Sequence, residues 1–387
     1  MSDGGVTSSW ITLRAGALEG NLRWLRRRLG SQTQLCSVVK GNAYGHGIET
    51  YVPLAERCGV RQFAVFSARE AQRVHACSGK RSEIMIMGDL PDAAVDWAVA
   101  EGVSFFVFDL SRLDAALQAA RRVGRAARVH LEVETGLNRT GLSARSLGRA
   151  LERIAAHPEQ LRLDGVCSHL AGAESSTNHY RIQRQLAVFR QRVEQVRASG
   201  QADFRRHVAC SAAALLRPET RLDMARVGIA QFGYWPSEEV RLGVLGARQR
   251  KRPVLRRLLT WRSRVINVKR VPSGEFIGYG HHSQALHTMR VAAVPVGYAD
   301  GFPRDLGNRG RVLVHGEPCH VIGAVNMSIL LVDVSYLAGV RNGDEVVLIG
   351  HQGEREITVG AFGEMFHALN YEVLLRLSAD IPRIVVD

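Results

Sequence analysis

The stretch SVVKGNAYGHG, Ser37 to Gly47, decides how this 387-residue chain is read. An apolar, strand-like run ends on Lys40, and a polar loop punctuated by glycines follows at once. A lysine at the mouth of a buried strand loses hydration, which lowers its pKa and frees a neutral, nucleophilic amine for Schiff-base chemistry. Lys40 is therefore the candidate reactive amine, although strand-end lysines are more often simply solvated.

Working outward, runs rich in Val, Ile and Phe alternate with amphipathic segments rich in Arg, Ala and Leu. Eight strands are expected: Leu35–Lys40, Gln62–Ser67, Glu83–Asp89, Val103–Asp109, Arg128–Glu134, Leu163–Leu170, Arg206–Ser211 and Met224–Phe232. Strand and helix in alternation predict an α/β fold, a closed (β/α)8 TIM-type barrel whose active site forms where the strands end. Lys40 stands at the first of those ends. After about Gly246 helical patterning fades, and alternating runs such as Arg264–Val271, Arg290–Val296, Arg311–His315, Val321–Val334 and Glu345–Gly350 predict a mostly antiparallel β domain. The expected division is a barrel over residues 12–246 and a β domain over 247–387, with the residues ahead of 12 packing on the latter and Arg248–Arg257 as the junction.

Composition narrows the function. A content of 46% hydrophobic residues supports a large core. No secretory signal pattern opens the chain and no apolar run is long enough to span a bilayer, so a cytoplasmic protein is expected. Six scattered cysteines form no CxxC pair or zinc-type spacing, so no metal is expected. The net charge of +14 comes from segments such as Arg23–Arg28. Without interleaved aromatics or a recognition motif, these are better read as solvated helix faces than as a nucleic-acid surface.

Other polar signals fall at the same rim: Arg139 in ETGLNRTG, His169 in CSHLAGAE, Ser211 in ACSAAA and Gly228 in RVGIAQFG. Loops after the seventh and eighth barrel strands often bind phosphate. There Ser211 offers a hydroxyl, and Gly228 lets backbone N–H groups come close to an anion. A rim lysine opposite a phosphate cradle suits pyridoxal 5'-phosphate.

With these motifs the chain resembles the alanine racemase family of pyridoxal-phosphate enzymes, from about Trp10 to Arg383. KGNAYGHG differs from the family's K-A-N-A-Y-G-H-G only at Gly41. VETGLNRTG, SHLAGAES, CSAAA, ARVGIAQFG, IGYG, VPVGYADGFPR and LSADIPR follow in family order. The resemblance implies that Lys40 holds the cofactor covalently and acts as one of two acid/base catalysts. Tyr298, in VGYADG, is the second, reaching the active site of the other subunit in a homodimer. It further implies Arg226 facing the pyridine nitrogen with His207 behind it, and Tyr44, Ser211, Gly228 and Ile229 at the phosphate. Arg139 and Met327 hold the substrate, and His169 lies against the ring. Outside that motif context, His169 and His207 read as core histidines, Tyr298 as a packed aromatic, Ser211 as a helix N-cap and Arg139 as a surface ion-pair partner.

Departures from the family bear on the substrate. Glu132 stands where many members carry a carbamylated lysine, and as a native anion it is expected to hold Arg139 directly. Asn326 and Ser328 replace a thiol and a carboxylate. Ala324 replaces an entry arginine, and Ala379, followed by Asp380, replaces an aromatic. The expectation is a racemase for L-alanine, with serine or a broader amino-acid set as the first alternative. A decarboxylase of the same fold type, or a non-catalytic cofactor carrier, is more remote.

Overall fold

The computed structural model describes residues 7–246, 254–281, 283–366 and 369–387, so residues 248–253 of the expected junction lie outside it. The chain divides into two compact units, one of residues 17–43 and 51–257, the other of residues 1–16, 44–50 and 258–387.

In the first unit the strands are β1 (Gln34–Val38), β2 (Gln62–Ser67), β3 (Glu83–Asp89), β4 (Ser104–Val107), β5 (Ala127–Glu132), β6 (Leu161–Cys167), β7 (Arg205–His207) and β8 (Met224–Val227). All pair in parallel, in the order β7-β6-β5-β4-β3-β2-β1-β8. No regular ladder joins β7 to β8. Single backbone bonds from Asp223 N to Arg206 O (3.2 Å) and Arg226 N to Ala209 O (3.0 Å) close that seam. This is the expected (β/α)8 architecture. Parallel strands covered on both faces need continuous apolar runs, and Phe63, Ala64, Val65, Ile86, Phe105 and Leu131 are fully buried.

The first helix, Ala15–Leu29, shows why the basic segments need no nucleic acid. Ala17, Leu18, Leu22, Leu25 and Leu29 repeat at helical spacing and are buried, leaving Arg23, Arg27 and Arg28 on the wet face. Each buried leucine contributes roughly 1.5–3 kcal/mol. Helix starts are set by polar caps. Ser67 accepts from Glu70 N (3.3 Å) while Glu70 accepts from Ser67 N (3.2 Å), and Asp109 accepts from Arg112 N (2.8 Å).

The second unit is a ten-stranded sheet in which Leu259–Arg264 lies between Glu345–Gln352 and Ser9–Arg14. Its pairings are antiparallel except for Ser9–Arg14, which runs parallel to Arg383–Val386. The expected run Val321–Val334 is two strands, Glu317–Ile322 and Leu330–Asp333, separated by the loop that carries Asn326, Met327 and Ser328. Helical texture also returns late, at Val359–Phe366 and Asn370–Arg376. Among the described residues no helix is long and apolar enough to cross a membrane.

Candidate active site

Strand β1 ends at Val38, two residues short of the expected Lys40, because the chain then turns left-handed. Gly41 (φ 61°), Asn42 (φ 53°), Ala43 (φ 53°) and Tyr44 (φ 52°) form one left-handed turn. Such a backbone costs about 1–2 kcal/mol at each non-glycine residue, so glycine at the first position removes one of those costs. The turn is held by Ala43 N to Val39 O (2.8 Å), by Arg73 to the Asn42 side-chain oxygen (2.7 Å), and by Gly41 N to Glu70 Oε1 (2.6 Å). Glu70 thus caps its own helix and anchors the lysine turn with one carboxylate. The sequence reading did not name Glu70, although Ser67-x-x-Glu70 is a legible capping box.

Lys40 is reached by solvent at the mouth yet is ringed by protein and cations. Loss of hydration is the main reason its pKa lies below the usual 10.5. Arg139 and Arg226 push it the same way, and Glu70 opposes them. His169 lies in the same field: burial first, then Arg226, Arg139 and Lys40, lower its pKa to about 3, so the ring is neutral.

Arg139 sits on the loop after β5, which is shaped by Glu134 accepting from Gly136 N and Asn138 N, the latter at φ 59°. Gln185, also not singled out by sequence, braces this loop against the next. It donates to Thr135 Oγ1 (3.2 Å) and His169 O (2.9 Å) and accepts from Ala171 N (2.8 Å). Glu132 is buried, and its hydrogen bond comes from the Thr140 hydroxyl (2.8 Å). No ion pair joins Glu132 to Arg139 among the described residues, so the expected direct hold is not formed. Thr140, in the returning part of the loop, takes the carboxylate instead. Burial raises the Glu132 pKa, against the Thr140 bond and the fields of Arg226 and Arg139.

Arg226 is buried and three of its five N–H groups are committed. Nη1 reaches His207 Nδ1 (2.5 Å) and His207 O (2.9 Å), and Nη2 reaches Ser168 O (2.8 Å). Ser211 is not an N-cap. Cys210 holds that position, and the buried Ser211 hydroxyl accepts from Gly228 N at 2.9 Å. Ile229 opens the buried 3-10 turn Ile229–Phe232.

The second unit carries Tyr44, whose ring packs 5.9 Å from Tyr371, and the Tyr298 turn. Tyr298 N donates to Asn326 O (3.0 Å) and Ala299 N to Met327 O (3.0 Å), while Asp300 O accepts from Ser378 N (3.1 Å). These bonds gather Tyr298, Asn326, Met327, Ser328 and the Ser378–Ala379 segment into one patch, in which Tyr298, Met327, Ser328 and Ala379 are exposed. Ala324 is half-buried a little upstream. A Cβ on Gly297 would lie 2.2 Å from both Asn326 O and Met327 O, so only glycine permits this approach.

Lys40 has Arg139 and Arg226 as cationic neighbours. A reactive amine beside cationic donors fits an anionic aldehyde, and pyridoxal phosphate is such a molecule. Fold and site together define a lysine-centred (β/α)8 enzyme joined to a β domain that bears an exposed tyrosine.

Comparison with known proteins narrows that class. Residues 13–236 match the alanine racemase N-terminal domain and residues 258–385 the alanine racemase C-terminal domain. The alanine racemase of Symbiobacterium thermophilum is 35% identical over 98% of this chain and 97% of its own length. The crystal structure of alanine racemase from D-cycloserine-producing Streptomyces lavendulae has a TM-score of 0.88 at 32% identity, covering 99% of this chain and 98% of that one. The Bartonella henselae alanine racemase, described with covalently bound pyridoxal phosphate, has a TM-score of 0.81 at 23% identity, covering 98% and 100%. The chain belongs to the alanine racemase family.

Proposed function

We propose that this protein interconverts L- and D-alanine with pyridoxal 5'-phosphate, as a cytoplasmic homodimer whose two active sites are shared between subunits. The observation that carries the proposal is the Lys40 amine, its pKa lowered, set among Arg139, Arg226 and a neutral His169. Family membership at full length supports alanine as the substrate.

Pyridoxal phosphate, when bound, supplies an electron sink that acidifies the α-hydrogen of an attached amino acid. Lys40 holds the cofactor and moves the α-proton on one face of the substrate. Tyr298 of a second copy moves it on the other, because direct inversion needs an acid and a base on opposite faces. Arg139 holds the substrate carboxylate, with Met327 of the second copy offering a backbone N–H. The Arg226 guanidinium only donates and has no lone pair to accept with, so it would neither take a proton from the ring nitrogen nor receive a hydrogen bond from it. Held this way, the cofactor would draw less charge into its ring, which would favour return of the proton to Cα. Tyr44, Ser211, Gly228 and Ile229 would hold the phosphate, and His169 would pack against the ring.

The test compares kcat/KM for L-alanine, L-serine and L-lysine and assays carbon dioxide release. Preference for alanine without decarboxylation is expected. A preference for serine would transfer the assignment to the exposed Ser328 and Ala379 gate, and carbon dioxide release would overturn racemisation.

A further inference from the structure

Behind Arg226 a line of buried polar groups runs down the barrel. His207 Nε2 lies 3.0 Å from Nδ1 of His130, on β5, and both rings are essentially inaccessible. Gly165 makes room for this contact, since a Cβ there would fall 2.3 Å from His130 Nδ1. The far nitrogen of His130, Nε2, is buried and meets no polar partner among the described residues. The same holds for Oε1 of Gln62. Both residues line one small cavity of about 10 Å³, together with the buried Ser104 and with Glu83 and Arg205, which bridge each other at 3.0 Å.

Donor chemistry fixes the protons on this line. An arginine only donates, so Nδ1 of His207, 2.5 Å from Arg226 Nη1, must be the unprotonated acceptor. Burial first, and then Arg226, keep His207 neutral, so its proton sits on Nε2 and is given to His130 Nδ1. His130 is likewise neutral, burial lowering its pKa to about 3, and carries its own proton on Nε2, facing the cavity. The Gln62 amide orientation is equally forced, because its Nε2 donates to the Glu83 carboxylate (3.0 Å) and leaves Oε1 needing a donor. Two unpaired buried groups, one donor and one acceptor, line a cavity of the size of one water molecule.

We propose that His130 is a positioning residue that, through one buried water shared with Gln62, locks the tautomer of His207 and thereby the aim of the Arg226 guanidinium. Every hydrogen bond on the line points away from Arg226, so two neutral rings in series stabilise the cation without competing for its remaining donors. Only the kinetic part of the test rests on the racemase reading; the proton arrangement belongs to the fold.

Histidine-labelled protein, with and without cofactor, is examined by long-range proton–nitrogen NMR, resonances being assigned through His130→Gln. Both rings are expected as neutral Nε2–H tautomers down to about pH 5. An Nδ1–H tautomer for His207, or titration of either ring above that pH, overturns the proposal. A high-resolution holoenzyme crystal structure should show one ordered water between His130 Nε2 and Gln62 Oε1, and an empty cavity there refutes the water. In kinetics, His130→Leu, which cannot accept from His207, should lower kcat about tenfold while KM stays within about twofold. His130→Gln, whose side-chain oxygen accepts in place of Nδ1, should recover to within about threefold of the parent. Equal activity in the two variants would mean that His130 only fills space. Should His130→Leu not fold, the tautomers of the parent protein decide.

Discussion

Gly297→Ala tests how the Tyr298 turn is placed. The added methyl would lie 2.2 Å from Asn326 O and Met327 O, about 1 Å inside van der Waals contact with two backbone oxygens that cannot rotate away. Those oxygens accept from Tyr298 N and Ala299 N at 3.0 Å, so relieving the clash stretches or breaks both bonds, each contributing about 1 kcal/mol. The expected loss of stability is therefore about 2 kcal/mol. The larger effect falls on catalysis, because a displacement of about 1 Å at a reacting group costs on the order of a hundredfold. The assay is the rate of racemisation of L-alanine, which needs both bases, run beside the absorbance of bound cofactor. Racemisation should slow by about two orders of magnitude with cofactor retained, since nothing in the barrel unit has changed. A folded Gly297→Ala enzyme that racemises within about threefold of the parent would refute the positioning argument.

Further outcomes follow from the same geometry. Imine formation between the cofactor-free protein and pyridoxal phosphate, followed by absorbance against pH, should show a midpoint below 10.5. Glu70→Gln should lower that midpoint further and Arg139→Gln raise it, because these groups act on Lys40 in opposite senses; unmoved midpoints would contradict the field described for the mouth. His130 titrates near 3 when folded against 6.5 ordinarily, so between those values the unfolded chain binds more protons. Stability in urea should fall as pH drops below 6.5, by about 1.4 kcal/mol per unit from this residue, and be level above it; His130→Gln should flatten the slope. Gly41→Ala, at φ 61°, should cost about 1–2 kcal/mol in thermal unfolding with the cofactor still bound, and an unchanged melting temperature would mean that the left-handed turn is not kept.

The barrel was legible because most of its parallel strands bury both faces and so announce themselves as apolar runs between helical repeats; Arg205–His207, half-buried and polar, is the exception. Strand ends were less legible. Met224–Phe232 read as one strand, yet it stops at Val227 and Ile229–Phe232 is a buried 3-10 turn, since apolarity reports burial and not pairing. Val321–Val334 failed for a related reason: residues of a turn that packs under Gly297 look like strand residues. At the site, Lys40, Arg139 and Arg226 carried local motifs. His130 and Gln62 did not, because His130 meets His207, and shares a cavity with Gln62, only when distant strands are brought together. The one local hint was that Arg128, His130 and Glu132 alternate with Ala127, Val129 and Leu131 along the strand and so share a face. The Glu132–Arg139 hold expected from charge alone lost to Thr140, whose hydroxyl the loop returns to the carboxylate.

The central claim is inversion by two groups on opposite faces of Cα, and the most direct measurement uses L-[2-²H]alanine and D-[2-²H]alanine with Lys40→Ala, which should lose all turnover, and with Tyr298→Phe. Tyr298→Phe with cofactor bound should release deuterium from one enantiomer only and produce no racemate. Racemisation by Tyr298→Phe at the parent rate, or equal deuterium loss from both enantiomers, would contradict it.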